Sequence, residues 1–172
     1  MNKVLILTTW WTIDKDYSTK KWTRDLEIWE PAVKRIIEYG RMFNLNVELL
    51  KVLKKDSLDM TDEDRNKIKE VISKREEEAV LITHGTDTMI ETWKVLKELA
   101  NKKAIVLVGS SLPEVFKNSD APVNVWFALW VLKSLMKFKQ TWVYLCMNWE
   151  IFDIDNVEKW EDWIFRKKQE LI

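Results

Sequence analysis

The sequence predicts an α/β fold in three layers, a mostly parallel sheet flanked by helices on both faces. Three observations lead there: short runs that are apolar at every position, amphipathic stretches of helical length between them, and a regular alternation of the two. A run that is apolar throughout, rather than at alternate positions, is the pattern of a strand covered on both faces, as in a parallel sheet. Strand–helix alternation is the signature of a doubly wound sheet.

The elements follow in order. Val4-Leu5-Ile6-Leu7-Thr8 reads as a buried strand, and 46–53 as a second, partly exposed one. Residues 79–82, 104–108 and 142–147 supply three more. The stretch 31–42 begins with Pro31, which a first helical turn tolerates, and carries Val33, Ile36 and Ile37 on one face. At 61–75 the start Thr-Asp-Glu-Asp places a cap before acids that suit the positive end of a helix. Helical patterns at 87–101 and 122–138 complete the set. The second of these is apolar nearly all round and is expected to be the most buried helix. Residues 14–29 are charged and without a period, which predicts a long mobile loop of the kind that often serves as a lid. The tail from 153 reads as a small hairpin ending in Arg166-Lys167-Lys168. No repeat or Pro/Gly/Ser linker divides the chain, so 1–172 reads as a single domain.

Composition narrows the function. Lys+Arg and Asp+Glu number 28 each, for a formal net charge of zero. Such a chain lacks the broad positive field that draws nucleic acid or an anionic membrane surface, so neither is an expected partner. The apolar runs fall far short of a bilayer span, and the start Met1-Asn2-Lys3 shows no secretory signal. Cys146 is the single cysteine, which excludes an internal disulfide and fits the cytoplasm. No cluster has zinc-ligand spacing, and there is neither a P-loop nor a GxGxxG turn, so no metal or cofactor is expected.

Ligands of open parallel sheets bind beyond the carboxyl ends of the strands. Those ends are unusually polar here: Thr8-Thr9-Trp10-Trp11-Thr12, Thr83-His84-Gly85-Thr86-Asp87-Thr88 and Gly109-Ser110-Ser111. Hydroxyls and one carboxylate converge on one edge, with Asp87 at the start of a helix, where free N–H groups favour anions. Each Thr, Ser or Asp taken alone reads more readily as an ordinary cap; the convergence of three such turns on one edge moves the reading towards a site. His84, the only histidine, sits beside the tight Gly85 turn and fits a satisfied structural residue better than a catalytic one. Cys146 lies in an apolar run and reads as a small buried hydrophobe.

Thr9-Trp10-Trp11-Thr12-Ile13 resembles the TGGTI signature of the bacterial-type L-asparaginase/glutaminase family. Ile82-Thr83-His84-Gly85-Thr86-Asp87-Thr88-Met89, with Glu91-Thr92, closely resembles its second signature. The likeness continues through Asp56-Ser57, Gly109 to Pro113, Ser119 to Asn124, Met147-Asn148 and Lys159. It implies a Rossmann/flavodoxin-like N-terminal asparaginase domain that hydrolyses L-asparagine, or glutamine, without a cofactor. It further implies that Thr12 is the nucleophile, assisted by Tyr17, and that Thr86, Asp87 and Lys159 form a second group that helps to activate water. Ser57, with Asp87, would hold the substrate's α-carboxylate and α-amino groups; Asp56, Gly85 and Ser110 complete the implied substrate-binding set. Family enzymes carry a second, C-terminal domain and are homo-oligomers whose sites a neighbouring subunit completes, whereas this chain stops where the first domain ends. A non-catalytic asparagine- or aspartate-binding module is therefore the alternative expectation.

One departure concerns tryptophan. The chain has 11 tryptophans and only three glycines, where average usage of about 7% would give about 12 glycines. The two counts together come to an ordinary glycine content. Trp10 and Trp11 replace the paired glycines of the first signature. Trp126 and Trp149 fall where relatives often have glycine. Trp22, Trp29, Trp130, Trp142, Trp160 and Trp163 have glycine-like contexts, and Trp93 holds a small-residue position. Either these are UGA codons that the organism decodes as glycine, or they are deliberate Gly→Trp changes. Taken literally, Trp10 and Trp11 would crowd the pocket and leave little asparaginase activity.

Overall fold

The computed structural model describes residues 3–9, 12–17, 26–28, 30–42, 44–160 and 164–168. Ten strands and four α-helices are assigned among them. The central sheet contains β1 (Val4–Thr8), β4 (Val47–Lys51), β5 (Ala79–Thr83), β6 (Ala104–Val108), β7 (Trp142–Met147) and β8 (Glu150–Phe152). Their order is β4-β1-β5-β6-β7-β8; the first five run parallel, and β8 returns antiparallel to β7.

The strand residues alternate between two apolar layers. Leu5, Leu7, Val80, Ile82, Ile105, Leu107, Val143 and Leu145 face α2 (Asp62–Ser73) and α3 (Met89–Leu96), which add Ile68, Ile72, Trp93 and Leu96. Val4, Ile6, Leu81, Val106, Val108 and Cys146 face α1 (Ala32–Tyr39) and α4 (Ala121–Lys137), which add Val33, Ile36, Val125 and Leu132. Each fully buried aliphatic side chain contributes about 1.5–3 kcal/mol of transfer free energy. Both faces of β1, β5 and β6 are thus closed, which is why their sequences read as continuous apolar runs.

One expectation is corrected. The stretch 14–29 is not simply a long loop: β2 (Lys15–Tyr17) and β3 (Leu26–Ile28) pair antiparallel, and the buried Asp14 accepts a hydrogen bond from Ala32 N at 2.7 Å, anchoring the start of α1. Three-residue strands hold too few positions to show a period. Helix α4 holds eight buried residues, more than any other helix among the described residues, as expected, yet it is not covered all round. It rests on the sheet and on α1 with one side only, leaving Trp130 and the following Phe138 about two-thirds exposed. The tail does form a hairpin, β9 (Val157–Lys159) with β10 (Phe165–Lys167). No helix among the described residues is long and apolar enough to cross a membrane.

Candidate active site

In the order β4-β1-β5-β6-β7, the chain leaves β1 one way, towards β4, and leaves β5 the other way, towards β6. The crevice beyond the carboxyl ends of β1 and β5, where these two connections part, is where open α/β sheets take ligands. The two strands are in register, Thr8 beside Thr83, and both the amide and the hydroxyl of Thr9 donate to the Thr83 carbonyl, at 3.3 and 3.0 Å. Thr12 opens the short turn Thr12–Asp14 just past β1, and Thr86 follows just past β5. Both lie at this one rim and both are half-buried. Trp10 and Trp11, between β1 and Thr12, lie outside the described residues, as do Trp22, Trp29 and Trp163 and the side chain of Tyr17.

Lys159 is brought to the same rim from the far end of the chain. Val157 and Phe165 are buried in the core layer and fix the β9–β10 hairpin. From it Lys159 Nζ donates to Thr86 Oγ1 at 3.0 Å and to Asp87 Oδ1 at 2.6 Å. An ammonium donating to a threonine oxygen polarises its O–H bond, so the Thr86 proton is easier to give away. The charge-assisted bond to Asp87 holds that ammonium in place. The Asp87 side chain remains about one-quarter exposed, which leaves carboxylate surface open to a ligand.

The turn carrying Thr86 is held from beneath. His84 is fully buried, its Nδ1 2.8 Å from the Gly85 carbonyl and its Nε2 2.8 Å from Thr92 Oγ1. A carbonyl can only accept, so Nδ1 carries the proton and Nε2 accepts from the Thr92 hydroxyl. Burial pushes the imidazole pKa down to about 4, which keeps the ring neutral and bars it from acting as a base near neutral pH. Gly109, at the end of β6, passes so close that a Cβ there would sit 2.5 Å from the His84 carbonyl oxygen. Only glycine fits such an approach.

The cap reading fails for the second signature. Helix α3 begins at Met89, beyond Asp87, and Thr88 makes no side-chain cap; its hydroxyl donates to the Ser57 carbonyl at 3.1 Å. That bond ties the 57–59 turn to the rim. Ser57 Oγ is buried and has no hydrogen-bond partner among the described residues, a costly state unless a ligand fills it. Asp56 caps this turn by accepting from Leu58 N at 3.2 Å, with Lys15 Nζ 4.0 Å away. Ser110 stands apart from this group: its hydroxyl proton goes to the Leu112 carbonyl at 2.7 Å, within its own loop.

Sequence reasoning gave Asp120 and Asn124 no role, yet they hold the third rim loop. Asp120 accepts from Ser111 N and Leu112 N at 2.9–3.0 Å, and Asn124 Nδ2 donates to the Gly109 carbonyl at 3.2 Å. An Asp just before a helix reads as a cap; here its carboxylate turns to the loop instead. Among the described residues, no group of His, Cys, Asp and Glu could hold a metal. Cys146 is buried, its thiol pushed up to about 12, which leaves it inert. A cleft of about 860 Å³ lies at the opposite edge of the sheet, lined by Lys3, Glu77, Ala79, Ala104 and Thr141. It gathers the amino ends of the strands and none of the residues named above.

The tryptophans divide in two. Trp93 is buried and donates to the Val143 carbonyl at 2.8 Å, so its site is built for an indole and not for a small residue. Trp126 and Trp142 likewise donate, to the Ile36 carbonyl at 3.2 Å and to Asp153 Oδ2 at 3.1 Å. Trp130, Trp149 and Trp160 are exposed.

Comparison with known proteins agrees with this architecture. A family model described as Asparaginase, N-terminal, matches residues 3–166. A glutaminase-asparaginase of Acinetobacter glutaminasificans is 34% identical over 119 residues, 66% of this chain and 36% of that protein. A probable periplasmic L-asparaginase of Haemophilus influenzae is 33% identical over 133 residues, 76% of this chain and 37% of that protein. The thermostable L-asparaginase from Thermococcus kodakarensis superposes with a TM-score of 0.79 at 25% identity, over 96% of this chain and 51% of that one. The chain spans little more than a third of the length of these curated relatives and about half of the solved enzyme. With the match running through nearly all of its length, the chain belongs to the asparaginase family and carries that family's N-terminal region.

Proposed function

We propose that the protein is an L-asparaginase-type amidohydrolase that converts L-asparagine to L-aspartate and ammonia, with Thr12 as nucleophile. The observation that carries this reading is the Lys159 ammonium held between Thr86 and Asp87 at the rim that also bears Thr12. In the first half-reaction Thr12 Oγ adds to the side-chain amide carbon, with Tyr17 assisting removal of its proton. The C–N bond breaks, the nitrogen takes up that proton and leaves as ammonia, and Thr12 is left as an ester. Water then adds to the ester carbon, the C–O bond breaks, and a proton returns to Thr12. The Lys159–Asp87 pair keeps the Thr86 hydroxyl polarised for this proton traffic, a contribution worth about 10²–10⁴ in rate. Ser57 Oγ, buried with a proton to give, suits the substrate's α-carboxylate, and the open side of Asp87 suits its α-ammonium. Asp56 and Gly85 shape the two turns. Ser110 contributes through its loop. Glutamine is the second substrate to test, and a homo-oligomer in the cytoplasm is the proposed working form.

Ammonia release from L-asparagine, measured alongside titration calorimetry, tests this. Trp10 and Trp11 stand beside Thr12 in sequence and are expected to hold turnover low; glycine at both positions is expected to raise it. In that glycine form, Thr12→Ala is expected to remove turnover by at least about 10²-fold while L-aspartate still binds. Binding without turnover, untouched by Thr12→Ala, would make the protein a binding module. Absence of binding by asparagine, aspartate and glutamine would reject the site.

A further inference from the structure

The turn joining β7 to β8 has a backbone that one of its residues does not suit. Met147 pairs with Glu150, leaving Asn148 and Trp149 as a two-residue hairpin loop. Their φ angles are 55° and 65°. Positive φ at both central positions marks a type I′ turn, whose twist matches the flanking strands and whose preferred sequence is Asn-Gly. Asparagine tolerates the left-handed region. Tryptophan does not, because its Cβ crowds the following carbonyl oxygen. The indole gains little shelter in return: Trp149 is 69% exposed and leans on Phe127, ring centroids 5.5 Å apart. Position 149 is thus built for glycine and makes little use of an indole.

Trp93 supplies the contrast. It is buried and hydrogen-bonded, and its place in α3 asks nothing special of the backbone. Misfit is therefore not general to the tryptophans; at 149 it falls where the turn needs glycine. The composition carries the same signature, 11 tryptophans against three glycines.

We infer that Trp149 stands where the working protein carries glycine, because a UGA codon at this position is decoded as glycine in its own cells. UGA is read as tryptophan under one reassigned code and as glycine under another. A single codon therefore raises one count and lowers the other by the same amount. Independent Gly→Trp mutations would each have to survive a strained turn or a crowded contact. The inference concerns which side chain is present and does not rest on the amidohydrolase reading.

The coding DNA tests it first. UGA at 149 is expected, as is a tryptic peptide spanning 149, from protein purified from the native cells, with the mass of the glycine form. A UGG codon, or a tryptophan mass, overturns it. The fold gives a second test in protein made with the sequence as written. Trp149→Gly and Trp149→Ala both remove the indole, but only glycine removes the Cβ from the left-handed residue. A Tm for Trp149→Gly about 2–4 °C above that of Trp149→Ala is expected. Equal Tm values would overturn the assignment of glycine to this position.

Discussion

His84 shows how one side chain sets the geometry of its neighbours while taking no part in proton transfer. Its neutral ring locks the Gly85 carbonyl, and the turn so held presents Thr86 and Asp87 to Lys159. Burial lowers its pKa to about 4 from an ordinary 6.5, so between these values the unfolded chain binds a proton that the folded one refuses. Stability from this residue is therefore full above pH 6.5 and is lost as pH falls towards 4, a total of about 3 kcal/mol. Urea unfolding across pH 6.5–4.5 is expected to show this slope, and His84→Gln, which can still donate to Gly85 and accept from Thr92, is expected to flatten it. An unchanged slope in that variant would assign the pH dependence to other groups. At this scale the sequence was a partial guide. Thr12, Thr86 and Asp87 could be singled out because they follow apolar runs at strand ends. Lys159 could not: it is one of 28 basic residues, and it reaches Asp87 across 72 positions of chain that leave no local pattern. Only the family resemblance pointed to it.

Among the elements, α2 is the one whose ends were plainest in the sequence. Thr61 accepts from Asp64 N at 3.3 Å, and Asp64 Oδ2 accepts from Thr61 N at 3.1 Å, a reciprocal cap that also draws Lys55. Thr61→Ala is expected to cost about 1 kcal/mol, seen as a Tm drop of about 2–4 °C in thermal unfolding. A change below 1 °C would mean that packing of Ile68 and Ile72 alone fixes the helix. The core strands were legible for a similar reason: closed on both faces, they have no polar position to interrupt the run. Elements closed on one side or very short were not. Helix α4 reads as apolar all round yet covers only the sheet and α1, and β2 and β3 are three residues each. The tight β7–β8 turn was hidden because its second residue is tryptophan, where the hairpin signal requires glycine.

For the whole molecule, topology decides where a ligand can sit. The sheet reverses its winding between β1 and β5, and the polar turns at 12, 57 and 86–87 gather at that end. The opposite edge holds a cleft of about 860 Å³ that lacks convergent hydroxyls. Chemistry is the better guide to the site than volume, because a small amino acid is recognised by placed polar groups. Amide shift mapping by NMR on adding L-aspartate tests this most directly. The amides of Thr12, Ser57, Gly85, Thr86 and Asp87 are expected to move together, with those of Lys3, Ala104 and Thr141 unchanged. Shifts gathered around Lys3 and Thr141, or none at Thr12 and Thr86 at saturating ligand, would contradict it.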